Sequence, residues 1–487
     1  MMGVTFATHF VNYCTNVKNV EAKEVTKIES NPEQSKHLET ARTTVLGQEL
    51  DFVNLRSEEY TEDSRIPTSV IFGTPLQDAL RRDITINALF YNVHTRAVED
   101  HTGKGIKDLQ RGMIRTPLDA LETFRDDPLR VLRAIRFAAR YCFEIDRFLQ
   151  DAARKPEIRE ALASKISKER IGIEVDKMLR SRDPVRALSL IYDFKLYSTV
   201  FQLPESVATT LSDSPTPPIM GLGAATILMV LLLPSRTGTL IPVHKTLTDL
   251  GKITYVRARL YLACALTPYR GITYTNAKGK RQPACDLIIR ESLRLGSQNH
   301  YLDGVPALYN AWSVVSPAVA DLAQGESPDD KLKIGMFLRQ QVVHRPAVIY
   351  WHTSLLFSLV QDLMAYWDPQ TKLLDETAAS ERIALYNALV TKIENHGLPA
   401  VVDDKPLLKG GEIAAALNTQ TGPWMRDALT RVVEWQLIHP EGTKAECVEW
   451  VKAEHAAGNI DISPLAQPKR PTQPDEEQGA VKKPKLT

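Results

Sequence analysis

The sequence predicts an α+β protein in which a small mixed head precedes a long all-helical body. Short β-prone runs between turns fill the chain from Met1 to about Arg115. From about Leu118, apolar residues recur at the 3.6-residue helical period almost to the end. Strands followed by helices, with little alternation, suit separate domains better than one doubly wound sheet. In order, Val45–Leu55 reads as hairpin strand and Ala88–Val93 as another, and Ser214–Pro218 and Lys278–Pro283 read as linkers. The apolar run Ala224–Leu233 is about half the roughly 20 residues that span a bilayer, so it reads as a buried helix. From Pro464 the chain is rich in Pro, Gln, Lys and Glu and reads as a disordered basic tail. The expected segments are 1–117, 118–213, 214–330, 331–463 and 464–487.

Composition excludes a disordered or collagen-like chain and a uniformly basic coat protein: 60 Lys and Arg offset 59 Asp and Glu among 487 residues, leaving a net charge of +1. Five scattered cysteines argue against a disulfide framework and fit a reducing compartment. The opening MMGVTFATHF has neither the basic flank of a signal peptide nor the arginines of a transit peptide. Nothing predicts a membrane span, and no segment points to a stable protein partner.

Chemistry-bearing residues concentrate in three places. Asp126-Asp127-Pro128 opens a helix with Arg130, Arg133, Arg136 and Arg140 on one face and Val131, Leu132, Ile135 and Ala138 on the other. Four arginines on one face repel one another unless an anion binds or ion pairs form along the helix, and a solvated, ion-paired face is the plainer alternative. In Leu80–Phe90, Arg81 and Arg82 precede Asp83 and Asn87, which share a side if the segment is helical. Arginine suits phosphates, and Asp with Asn suits ribose hydroxyls, but a capped amphipathic helix explains the pattern equally well. Glu49 and Asp51 project to one face of a strand, a weak sign of a metal-binding carboxylate pair.

In this order, the segments resemble the tRNA nucleotidyltransferase (CCA-adding enzyme) and bacterial poly(A) polymerase family, class II of the polymerase-β-like nucleotidyltransferases. LRRDITINALF is similar to the family's RRDxxxNA motif, and EDHTGKGIKDLQRGMIRTP to the loop between head and neck. RDDPLRVLRAIRFAARY resembles the nucleotide-selecting EDxxRxLRAxRF motif, SKERIGIEVDKML the neck helix after it, and Leu407–Pro440 a C-terminal tail segment. The resemblance implies a mixed-sheet nucleotidyltransferase head followed by an all-α neck, body and tail. It implies that Asp127 and Arg130 read the base of CTP or ATP, and that Arg133 and Arg136 meet phosphates or support the site. It further implies that Arg82 contacts the nucleotide and that Asp83 and Asn87 sense the ribose. Asp126 stands where the family usually has Glu, and Asp51 is a candidate third carboxylate.

The family's GGxVRD and DxD motifs, which hold Mg²⁺, match nothing in the 487 residues. The head is therefore expected to be incomplete, with that segment placed before Met1, and the polypeptide to be inactive alone. The implied partner is tRNA, gripped at its acceptor and T arms. Arg257 and Arg259 with Tyr255 and Tyr261, and Lys278, Lys280 and Arg281 with Tyr269 and Tyr274, are candidate RNA contacts. Lys469-Arg470 and Lys482-Lys483-Pro484-Lys485 resemble a nuclear localisation signal, so nucleus and cytoplasm are expected, and the mitochondrion for a longer form. A poly(A) polymerase of the same class and a non-catalytic tRNA-binding protein are the alternatives.

Overall fold

The computed structural model describes residues 3–28, 40–61, 64–233 and 239–462, so the expected tail from 464 lies outside the described residues. The chain forms two compact units, one made of residues up to Gln324 with Gln340–Val390, the other of Gly325–Arg339 with residues from Thr391 on.

The first unit opens on a helix, Gly3–Asn16, where the texture of the sequence predicted strand and turn. Gly3, Ala7 and Cys14 are buried at helical spacing. The rings of Phe6 and Phe10 lie 5.6 and 5.5 Å from that of Phe52. Packing on the neighbouring strand thus overrides the β preference of Val, Thr and Phe.

Thr26–Ile28 pairs antiparallel with Thr40–Val45, which turns back into Gln48–Phe52. Leu46 and Gly47 make the turn with φ of 51° and 74°, as a two-residue hairpin requires. Arg56–Thr61 with Ser64–Phe72, and Phe90–Asn92 with Ala97–Glu99, are further antiparallel pairs. Met113–Ile114 and Glu144–Ile145 pair in parallel. Among the described residues the strands are shared between small sheets and do not join in one mixed sheet.

From Ala120 the chain is mainly helical, as the periodicity predicts. Leu129–Tyr141 begins after Asp127-Pro128 and stops at Cys142, whose left-handed backbone (φ 58°) ends the ladder. Lys168–Leu179 runs so close to the backbone at Leu293 that a Cβ on Gly172 would stand 1.7 Å from the Leu293 carbonyl oxygen. Ile219–Leu232 is the expected buried helix, and it ends where Leu233 becomes 50% exposed.

Lys278–Pro283 proves to be part of a hairpin, not a linker, for Thr273–Thr275 and Arg281–Pro283 pair antiparallel. Asn276 Oδ1 accepts the N–H groups of Lys278 and Lys280, both at 3.0 Å, and Gly279 supplies the positive φ of 72°.

The second unit packs the helices Gly410–Ala416, Met425–Ile438 and Lys444–Ala456 around Trp424, Val432, Trp435, Cys447 and Val451. All five cysteines are free, and no described helix is long and apolar enough to cross a membrane.

Candidate nucleotide site

Three segments of the first unit converge on the predicted residues. Pro75–Leu80 is a short helix fixed by a Thr74–Gln77 capping box, and a 3₁₀ turn follows at Thr85–Ala88. The segment is thus a helix end and a turn, not one continuous helix. Asp83 and Asn87 nevertheless meet, because the turn brings Asn87 Nδ2 to 3.3 Å from Asp83 Oδ1. Thr85 pins the turn by donating to the buried Asp108 carboxylate at 2.8 Å.

Asp78, which sequence reasoning passed over, organises the arginines. Its buried carboxylate accepts from Nε of Arg81 at 3.0 Å, and from Nε and Nη2 of Arg82 at 3.0 and 2.8 Å. Burial pushes this carboxyl up, but the bonds from Arg81 and Arg82 outweigh it and hold it below the usual carboxylate range. The i,i+3 and i,i+4 spacing was the available signal. Arg82 also donates to the Asn87 carbonyl at 3.0 Å and covers the Phe90 ring at 5.1 Å.

The Leu129–Tyr141 helix crosses behind this turn. Its arginines do not form the solvated face of the plainer alternative, since Arg130 and Arg136 are buried and Arg133 is partly so. Arg133 places Nε and Nη2 each 2.7 Å from Asp83 Oδ2, binding the helix to the turn. Asp83 draws the guanidinium's pKa above its ordinary value although burial opposes this. Arg136 forms a buried ion pair with Glu174 at 2.5 Å and lies 4.0 Å over the Phe137 ring. Arg140 remains exposed. Arg130 donates to the Arg81 carbonyl at 2.7 Å, and among the described residues it has no ion pair with a carboxylate. Asp127 Oδ1 accepts the Leu129 N–H at 3.1 Å and Oδ2 accepts from Arg170 at 2.9 Å. Asp126 is partly buried beside it. Arg170 and Glu174 lie in the neck-helix segment of the sequence, but only the fold shows what they touch.

Asp51 stands on Gln48–Phe52, half exposed, with Oδ1 and Oδ2 held by Arg42 at 2.7 and 3.1 Å. A carboxylate gripped at both oxygens is a poor ligand for magnesium. Among the described residues no group of three or more His, Cys, Asp or Glu could hold a metal ion. The described residues therefore do not fit the magnesium pair that the resemblance implies.

The candidate RNA contacts divide. Arg259 is fully buried and donates to the Val348 carbonyl, so it belongs to the core and cannot meet RNA. Tyr261, Tyr269 and Tyr274 are buried as well, whereas Tyr255 is exposed, so of the four expected aromatics only Tyr255 stands open beside the charges. Arg257 is half-buried and bonds the Ser181 carbonyl at 3.3 Å. Lys278, Lys280 and Arg281 are exposed on the hairpin.

Comparison with known proteins bears on the chain as a whole. A family profile described as the poly A polymerase head domain matches residues 1–115, and one described as a probable RNA and SrmB-binding site of polymerase A matches 156–208. The tRNA nucleotidyltransferase cca1 of Schizosaccharomyces pombe is 34% identical over 95% of this chain and 87% of its own length. The mitochondrial CCA tRNA nucleotidyltransferase of Saccharomyces cerevisiae is 33% identical over 93% of this chain and 83% of its own. A CCA-adding enzyme in an apo form shares the fold with a TM-score of 0.56 at 17% identity, over 92% of this chain and 85% of its own. The Thermotoga maritima CCA-adding enzyme complexed with tRNA does so with a TM-score of 0.53 at 18% identity, over 93% and 85%. An arginine-rich helix tied to an Arg-Arg-Asp turn, in a chain aligned with these enzymes over most of its length, belongs to the CCA-adding tRNA nucleotidyltransferase family.

Proposed function

We propose that this site selects CTP and ATP for addition to the 3′ end of tRNA, with Asp127 and Arg130 reading the base. The observation that carries the reading is Arg130, buried and paired with no carboxylate among the described residues, three positions from an Asp127 carboxylate. A buried guanidinium without a counter-charge is costly unless a ligand supplies acceptors. Cytosine and adenine each offer an exocyclic amine to a carboxylate and a neighbouring ring nitrogen to a guanidinium, whereas uracil and guanine present the opposite groups. Asp83 and Asn87 then face the ribose, and Arg82, Arg133 and Arg136 brace the site or meet phosphate. Equilibrium dialysis against the four ribonucleoside triphosphates tests this. CTP and ATP should bind at least tenfold more tightly than UTP and GTP, a ratio that two mismatched hydrogen bonds supply; four equal affinities would refute the reading.

On this reading, residues 1–117 are head, 118–213 neck, and 214–463 body and tail that hold the acceptor and T arms of tRNA. Lys278, Lys280 and Arg281 are phosphate contacts, and the basic residues from Lys469 on direct the protein to nucleus and cytoplasm. Because the 487 residues carry no DxD, we expect no extension of tRNA lacking its CCA end by this polypeptide with CTP, ATP and Mg²⁺. Normal turnover in that assay would overturn the expectation, and sequencing the product would separate CCA from poly(A).

A further inference from the structure

We infer that Arg170 is a specificity-determining positioning residue, holding the Asp127 carboxylate in the orientation that reads the base. The inference rests on the reading of Asp127 given above.

Asp127 lies between two helices, Ala120–Asp126 and Leu129–Tyr141, in an extended conformation (φ −139°, ψ 98°). No helical packing fixes its side chain. The terminal torsion of an aspartate is broad and shallow, so a carboxylate held at one oxygen can still turn. Here the Leu129 N–H takes Oδ1 at 3.1 Å and Arg170 Nη2 takes Oδ2 at 2.9 Å. Two fixed oxygens define the plane of the carboxylate, and each keeps acceptor capacity for a base amine.

Two observations separate this from a tie that merely joins helices. One turn further along the same helix, the buried Arg136–Glu174 pair already binds Lys168–Leu179 to Leu129–Tyr141. In addition, Arg170 Nη1 is buried and bonds to nothing among the described residues. Arg259 in the core also keeps an unpartnered donor, so what counts here is the place of the spare Arg170 donor, on the guanidinium that holds Asp127, where a ligand can use it.

The test measures the ratio of the dissociation constants for UTP and CTP on the full chain, alone and in a double-mutant cycle with Asp127. R170Q should lower the ratio about tenfold, R170K only about threefold, with thermal unfolding of R170K close to the parent. In a D127N background, R170Q should change the ratio no further, because the group it positions is gone. If R170Q and R170K both keep the parental ratio, the inference fails while the base-reading assignment stands. Additive effects in the cycle would likewise reduce Arg170 to a structural contact. If the parent chain itself does not prefer CTP to UTP, the assignment of Asp127 fails and this inference falls with it. Should R170Q not fold, R170K and its cycle with D127N decide alone.

Discussion

At Asp78 one buried carboxylate gathers the two arginines that lead into the Arg82-Asp83 turn, and its removal is the most informative single change in the head. Asp78→Asn leaves both guanidiniums short of a charge partner and should destabilise the protein by about 2–3 kcal/mol, with nucleotide affinity falling in parallel; thermal melts and dialysis check this. The folded-state pKa of Asp78 lies below its unfolded value, so its contribution is complete above the ordinary carboxylate range and is lost as pH falls through the lowered value. Urea melts should therefore show a stability term from Asp78 that persists to about pH 4 and vanishes below it, and Asp78→Asn should remove that dependence. Glu174→Gln breaks a pair buried on both sides and should cost about 3 kcal/mol, more than the loss of the exposed Arg125–Glu157 pair, which should cost under about 1 kcal/mol.

At the scale of elements, the helix from Leu129 was legible because Asp before Pro starts a helix and the arginine spacing keeps its phase. Which arginines enter the interior was not legible, since that depends on Asp83 and Glu174, 50 and 38 residues away in sequence. The same limit applies to Gly172, an unremarked residue in a helical stretch. Gly172→Ala would drive a methyl into the Leu293 carbonyl and should lower stability by about 1–3 kcal/mol, although alanine favours helices; a melting shift in the opposite direction would show that the helix is free to move. The Lys278–Pro283 stretch read as a linker because its glycine, proline and charges are turn residues. It became a hairpin because Asn276 closes the turn and short strands flank it. Gly3–Asn16 was misread in the opposite sense, its β-branched residues concealing a helix that gains its stability from packing on Phe52.

For the whole molecule, near-zero net charge does not foreclose RNA binding, because cations can be local. Replacing Lys278, Lys280 and Arg281 together by Ala should weaken tRNA binding and flatten the plot of log affinity against log salt by about three units, read by filter binding at several salt concentrations. Arg259→Met is the contrasting variant. It alters a buried group that donates to the Val348 carbonyl, so it should change stability and leave the salt slope intact. Both outcomes concern the first unit alone.

The sequence by itself determined the family, the order of head before helices, a buried helix over Ala224–Leu233 that the structure starts at Ile219, and which Arg, Asp and Asn residues are candidates for the site. Periodicity, turn residues and motif spacing are local properties, and a linear chain states them directly. Only the tertiary structure decided that Arg259 is core, that Asp51 is occupied by Arg42, and that Arg170 and Glu174 reach Asp127 and Arg136. The reason is that burial and ion pairing are set by which distant segments meet, and a charged side chain has the same covalent structure whether it faces water, a partner across the core or a nucleotide.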